Sequence, residues 1–201
     1  MGDKIKFSTG TVVDSDGHLY QAGVEITATA AEINAGVTGI TATSAELNRV
    51  ADTSTRVTTT TATVLALTAT QHSEGVVIVN TDHTQTTTIT LPAAAGTGNK
   101  YTVINNVDQT QSDVVVAALG TNIMDGVCYL VSSDVTNYAQ AFATSATSDK
   151  ITLTGSTNAQ TTGGFGGDRI ECIDISATTW LVTCWNVGSG SLATPFSETG
   201  G

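Results

Sequence analysis

Charge is the scarcest commodity in this chain. Asp, Glu, Lys and Arg together make up 12% of 201 residues, and only seven of them are basic against 18 acidic, for a net charge of −11. An average globular domain carries about 25% charged residues. A surface this poor in Lys and Arg excludes nucleic acid as a partner, because the phosphate backbone repels an acidic chain. Proline occurs twice and aromatic residues make up 5%. No apolar run approaches the roughly 20 residues that span a bilayer, so no membrane partner is expected. The first residues, Met1-Gly2-Asp3-Lys4-Ile5-Lys6-Phe7, lack the apolar core of a secretion signal. No Asn-x-Ser/Thr acceptor occurs. The three cysteines, Cys128, Cys172 and Cys184, are odd in number and lie in apolar, strand-like runs. They read as buried free thiols of a protein folded in a reducing cytoplasm.

The constellations of catalysis and metal binding are missing as well. His18, His72 and His83 stand at no metal-ligand spacing. No nucleophile-elbow pattern occurs. Asp14-Ser15-Asp16-Gly17 opens like a calcium loop, but Leu19 occupies the sixth position, where the sharp turn requires glycine. Gly163-Gly164-Phe165-Gly166-Gly167-Asp168 is glycine-rich, yet no helix follows it and no Lys is near, as a phosphate cradle would need. It reads as a mobile loop between strands and a candidate contact loop through Gly163, Gly164, Phe165, Gly166 and Gly167. The expectation is a protein with no catalytic residues, no metal and no cofactor.

What the chain has in abundance is threonine, 39 of its 201 residues, together with a short repeat. Branched Cβ atoms favour pleated strands. Strand-like runs recur at Val76–Asn80, Thr86–Leu91, Lys100–Val107, Asp113–Leu119, Val127–Val131, Ala139–Thr144, Lys150–Leu153, Arg169–Ile175 and Thr179–Val187. Pro92, Gly96, Gly98, Asp108 and Gly120 punctuate them. A further strand is expected within Val57–Ala69, a capped turn over Thr70–Gly75 and a hairpin across Ser176-Ala177-Thr178. Short strands at this spacing predict a mainly all-β fold, a C-terminal β-sandwich or barrel-like domain over 57–188. Before it lie an arm over 1–25 with a hairpin about Asp14–Gly17, and a stalk over 26–56. After it, 189–201 reads as a flexible or partner-bound tail. Trp180 and Trp185 stand five apart on the last strand, on opposite faces, one in the core and one outside.

The repeat is Ile26-Thr27-Ala28-Thr29-Ala30-Ala31-Glu32-Ile33-Asn34, which returns fourteen residues later as Ile40-Thr41-Ala42-Thr43-Ser44-Ala45-Glu46-Leu47-Asn48. Each copy places Glu three residues after Thr29 or Thr43, the spacing of a capping box. Each copy therefore reads as a strand-like start followed by a short helix. A helix this short is unstable alone, so its apolar residues need a partner surface. Ile26, Ile33, Ile40, Leu47 and Val50 are the candidate docking residues.

These tandem units, Thr-Ala-Thr-x-Ala-Glu-Ile/Leu-Asn, with Ala51-Asp52 and a Thr-rich β region after them, resemble structural proteins of tailed bacteriophages. Within that group the likeness is to capsid decoration (cement) and head-fibre proteins, and the match covers 26–52. Segments such as Thr88-Ile89-Thr90-Leu91-Pro92 and Thr179-Trp180-Leu181-Val182 are similar to the β domain that often follows such repeats. The resemblance implies a homotrimer on the outer capsid surface of a virion, made in the host cytoplasm. The major capsid protein would be its partner. The alternative it implies is a tail or head fibre whose β domain recognises a host surface glycan.

Overall fold

The computed structural model describes the backbone of Ile5–Lys6, Thr11–Val13, Leu19–Gln21 and Val24–Ile26, and residues 56–134, 138–156 and 159–198. The chain divides into two compact units, Met1–Leu47 and Asn48–Gly201. The division falls inside the second copy of the repeat. In the first unit, β1 (Ile5–Lys6), β2 (Thr11–Val13), β3 (Leu19–Gln21) and β4 (Val24–Ile26) form an antiparallel meander. The segments flanking Asp14–Gly17 are β2 and β3, paired with Val12 opposite Tyr20. The helical reading of the repeat lies outside the described residues.

The second unit is mainly β, built of two mixed sheets. Its first strands are β5 (Val57–Thr60), β6 (Val64–Ala66), β7 (Gly75–Val79), β8 (Thr87–Thr90), β9 (Lys100–Asn105) and β10 (Val114–Ala117). They alternate between the sheets. β5, β7 and β9 lie side by side in parallel in one sheet, and β6, β8 and β10 do so in the other. Parallel neighbours need a long crossover between them, most often a helix. Here the crossover is a strand of the opposite sheet, so the chain winds as a flattened coil. One short helix, α1 (Ala69–His72), interrupts it, and the Thr68 N–H donates to Nδ1 of His72 at 3.0 Å.

The remaining strands close the coil. β11 (Ile123–Ser132), β12 (Ala139–Ala143), β14 (Arg169–Asp174) and β15 (Thr179–Gly188) complete a seven-stranded sheet in the order β12-β11-β15-β14-β9-β7-β5. β13 (Lys150–Leu153) and β16 (Phe196–Ser197) complete a five-stranded sheet in the order β16-β13-β10-β8-β6. Inward residues from both sheets merge into one cluster. It includes Val77, Ile89, Tyr101, Val116, Leu130, Ile151, Ile170, Trp180 and Val182. Tyr101 meets Trp180 edge to face, with ring centroids 5.5 Å apart. All three cysteines are free and buried. Burial pushes the Cys172 thiol up to about 12, which leaves it protonated and inert.

Two sequence expectations are corrected. The single strand expected within Val57–Ala69 is two strands, β5 and β6, which break at Thr61–Thr63 and serve different sheets. The residues expected to be a flexible or partner-bound tail are part of the fold as far as 198. Leu192 and Phe196 are buried in the core, and β16 pairs with β13. Two apolar anchors outweigh the Gly/Ser composition around them. Pro195 precedes this edge strand, where a missing N–H is tolerated, and its carbonyl accepts from Thr152 N–H at 2.9 Å.

Candidate functional site

The glycine loop 163–168 is where sequence placed a contact site. Gly163 and Gly164 have φ of 113° and 121°, a region L-residues rarely adopt. A Cβ on Gly163 would lie 2.7 Å from Oδ2 of Asp168, and one on Gly164 would overlap the Thr154 carbonyl. Both glycines are buried, so they serve close approach of the chain to itself. Gly166 and Gly167 are exposed and Phe165 is half-buried.

Five polar side chains brace this loop from inside. The Asp168 carboxylate accepts from Gly164 N–H at 2.6 Å and from Val187 N–H at 2.7 Å. Asn105 donates to the Phe165 carbonyl at 2.9 Å and accepts from Gln109 at 2.8 Å. Gln160 donates to the carbonyls of Gly164 and Gln109 at 2.8 and 2.9 Å. Asn186 donates to the Thr162 carbonyl at 3.4 Å. Asn105, Gln109, Gln160, Asp168 and Asn186 are all buried. The loop is therefore cross-braced at its base, which corrects the reading of it as mobile. Burial pushes the Asp168 carboxyl up to about 6, against the pull of its N–H donors.

A second buried carboxylate stands at the other end of β14. Asp174 accepts from the N–H groups of Ala95, Gly96 and Thr97, at 2.9, 2.8 and 3.0 Å, and from the Thr97 hydroxyl at 2.7 Å. Burial pushes this carboxyl up, but the four donors outweigh it and hold it below the usual carboxylate range. Both aspartates are fully engaged in tying loops to the sheet.

The outer face of the seven-stranded sheet differs. Trp185 is 45% exposed, Tyr129 49% and Val131 52%, and Leu181 and Val187 are also exposed. The register sets them in rows. One row runs Ala141, Tyr129, Trp185, Arg169, Ile104, Ile78 across six strands. A second runs Ala139, Val131, Val187. The Arg169 guanidinium sits 5.1 Å from the Trp185 ring centroid. Its Nη2 reaches Oε2 of Glu171 at 2.7 Å, and Lys100 Nζ reaches the same oxygen at 3.3 Å.

Of the docking residues expected from the repeat, Ile26 ends β4, with its backbone opposite Leu19. Ile33, Ile40, Leu47 and Val50 lie outside the described residues. The outer face was not singled out beyond one of its tryptophans, although Leu181, Trp185 and Val187 share one parity along β15. Among the described residues no group of three or more His, Cys, Asp or Glu could hold a metal ion. No helix among them is long and apolar enough to cross a membrane. Comparison with protein-family models, curated protein sequences and solved structures gives no match.

Proposed function

We propose that this chain is a structural protein of a tailed-bacteriophage virion, a decoration protein that binds the outer capsid surface as a homotrimer and bridges capsid subunits. The observation that carries the reading is the tandem Thr-Ala-Thr-x-Ala-Glu-Ile/Leu-Asn unit joined to a threonine-rich β unit. Chemistry supports it. The repeat offers small apolar residues that cannot bury themselves within so short a segment. The β unit, read at finer detail as a sandwich of two sheets, is braced by internal hydrogen bonds rather than arranged around a reactive group. Apolar area closed between subunits contributes about 25 cal/mol per Å2, enough over several copies to resist heat and internal pressure. The acidic surface suits a position outside packaged DNA.

Binding of the purified protein to shells that lack it tests the reading. The expected result is saturable binding and a higher temperature of shell disruption. Ile33→Asp with Leu47→Asp should abolish that binding while the β unit stays folded. Absence of wild-type binding, with saturable adsorption to host cells instead, would move the assignment to a receptor-binding fibre.

A further inference from the structure

The outer face of the seven-stranded sheet carries an apolar surface on a chain of net charge −11. We infer that this face, centred on Trp185 and Tyr129, is the surface through which one copy of the chain binds a second copy. The inference rests on copies of the chain associating and not on the capsid part of the proposed function. A face that meets its own copy makes a pair, and in a trimer it would meet a different surface of the next copy.

The first argument is charge. The strands of this face point two basic residues outward, Lys100 and Arg169, and two acidic ones, Asp125 and Glu171. Their charges sum to zero, so the net −11 of the chain resides elsewhere. A face of balanced charge lets two copies meet without net repulsion. Here Glu171 is already neutralised within its own copy by Arg169 and Lys100.

The second argument is area. The exposed apolar rows cover three strands, β12, β11 and β15, about 10 Å across at the usual strand spacing and about 20 Å along the chain. The full seven-stranded face is about 29 Å by 20 Å, on the order of 600 Å2 in projection. A stable pair buries roughly 800 Å2 of accessible surface per partner. Accessible area exceeds projected area once side chains interdigitate, so the face alone is of the size a stable pair needs.

The third argument is composition. Interface centres are enriched in Trp, Tyr and Arg, and Tyr129, Trp185 and Arg169 are neighbours in one row. Around the rings stand Val127, Val131, Val187, Leu181 and the alanines of β12. A sugar platform would place hydrogen-bonding side chains there. Arg169, Glu171 and Thr183 stand on the β14 side of Trp185, but the β11 and β12 side is aliphatic and suits another protein face. The edge strand β12 adds to this. It carries no charge and no proline, the usual guards against edge contacts, and all its residues but Phe142 are exposed.

The test is the mass of the full chain by light scattering and sedimentation across the micromolar range. The expected result is a closed oligomer of the wild type. Trp185→Lys and Tyr129→Lys should each weaken association at least tenfold with an unchanged far-ultraviolet spectrum, and Trp185→Phe should retain it. A wild type that stays monomeric at high micromolar concentration overturns the inference, as does a folded Trp185→Lys variant of unchanged mass. Should the Lys variants fail to fold, acrylamide quenching of the wild type decides. Trp180 is buried and Trp185 is not, so concentration-dependent shielding must come from Trp185. Shielding that does not change on dilution would assign the face to the chain's own first 55 residues and overturn the proposal. A monomer that binds a glycan through Trp185 would overturn it too. Shell binding can fail while self-association survives, so the two readings fall separately.

Discussion

The seven-stranded sheet has two faces that obey opposite rules, and β15 displays both on one strand. Inward, Trp180, Val182, Cys184 and Asn186 are sealed, with Trp180 only 1% exposed. Outward, Leu181, Trp185 and Val187 stand open. Both faces carry a tryptophan flanked by aliphatic residues. The inner one has a second sheet to cover it and the outer one has none among the described residues. The difference lies partly in the residues, since the outer face also carries Lys100, Asp125, Arg169 and Glu171, and partly in what the topology brings against them. An apolar surface left uncovered marks a place of contact with something beyond the sheet, here inferred to be a second copy.

The sharpest way to break the comparison is to break the frame both faces share. Gly126 lies in β11 opposite Val182 of β15, with φ of 154°. A Cβ there would overlap the Val182 carbonyl oxygen, and backbone cannot rotate away as a flexible side chain can. Gly126→Ala should cost more than about 4 kcal/mol, in the range reserved for severe steric defects. Soluble yield and urea unfolding check it. Wild-type stability in that variant would show that β11 and β15 are not held as closely as described.

The next largest effect separates the faces. Trp180→Ala removes a buried ring from beside Tyr101 and should destabilise by about 3–5 kcal/mol. Its indole Nε1 makes no hydrogen bond, so the loss is one of packing and apolar burial. Denaturant unfolding at fixed protein concentration measures it. A loss below about 1 kcal/mol would mean the inner face is looser than its burial implies.

Much of this was legible in the sequence. Alternation placed eight strands within a residue or two and caught only the second half of β11, and parity put Trp180 and Trp185 on opposite faces. The pairing order was not legible. Alternation says which side of a strand is buried but not which sheet it joins, and β5 and β6 share one continuous threonine-rich run. Parallel order between β7 and β9 depends on contacts 26 residues apart, with Gly75 opposite Tyr101. The tail was misread because composition outweighed two isolated anchors, Leu192 and Phe196. The polar brace did leave a signal. Asn105 and Asn186 occupy positions whose parity matches buried neighbours such as Val103 and Cys184, so each interrupts an apolar face at one end. Gln109, Gln160 and Asp168 lie outside strands, where polar residues pass as turn punctuation.

That brace gives the third effect, and it belongs to the inner side alone. Asp168→Ala leaves the N–H groups of Gly164 and Val187 buried without their acceptor, at about 2–4 kcal/mol for the two. Its pH dependence identifies the cause. The folded carboxyl is raised to about 6, so its stabilising contribution is full below the unfolded value of about 3.9 and is lost as pH rises through about 6. Asp174 and Asp82 are lowered and act the other way, losing their contribution only as pH falls below the ordinary carboxylate range. Wild-type stability should therefore rise by about 2 kcal/mol between pH 7 and about 4.5, and the Asp168→Ala curve should lack that rise. Parallel curves would assign the titration to another group.

The smallest expected effect is the most telling for the comparison. Trp185→Ala removes the same side chain as Trp180→Ala, from the same strand. Within one copy it forfeits a half-exposed ring and the cation–π contact with Arg169, together about 1 kcal/mol. Arg169 keeps Glu171 as a partner, so no charge is left stranded. Unfolding at concentrations low enough to keep the chain monomeric should show that small loss and no more. At concentrations where copies associate, the wild type gains stability by mass action while the variant does not, so the gap between them widens with protein concentration. A gap that is large at every concentration would make the outer tryptophan a core residue in disguise, covered by the chain itself. A gap that stays small at every concentration would leave the outer face without a role in assembly.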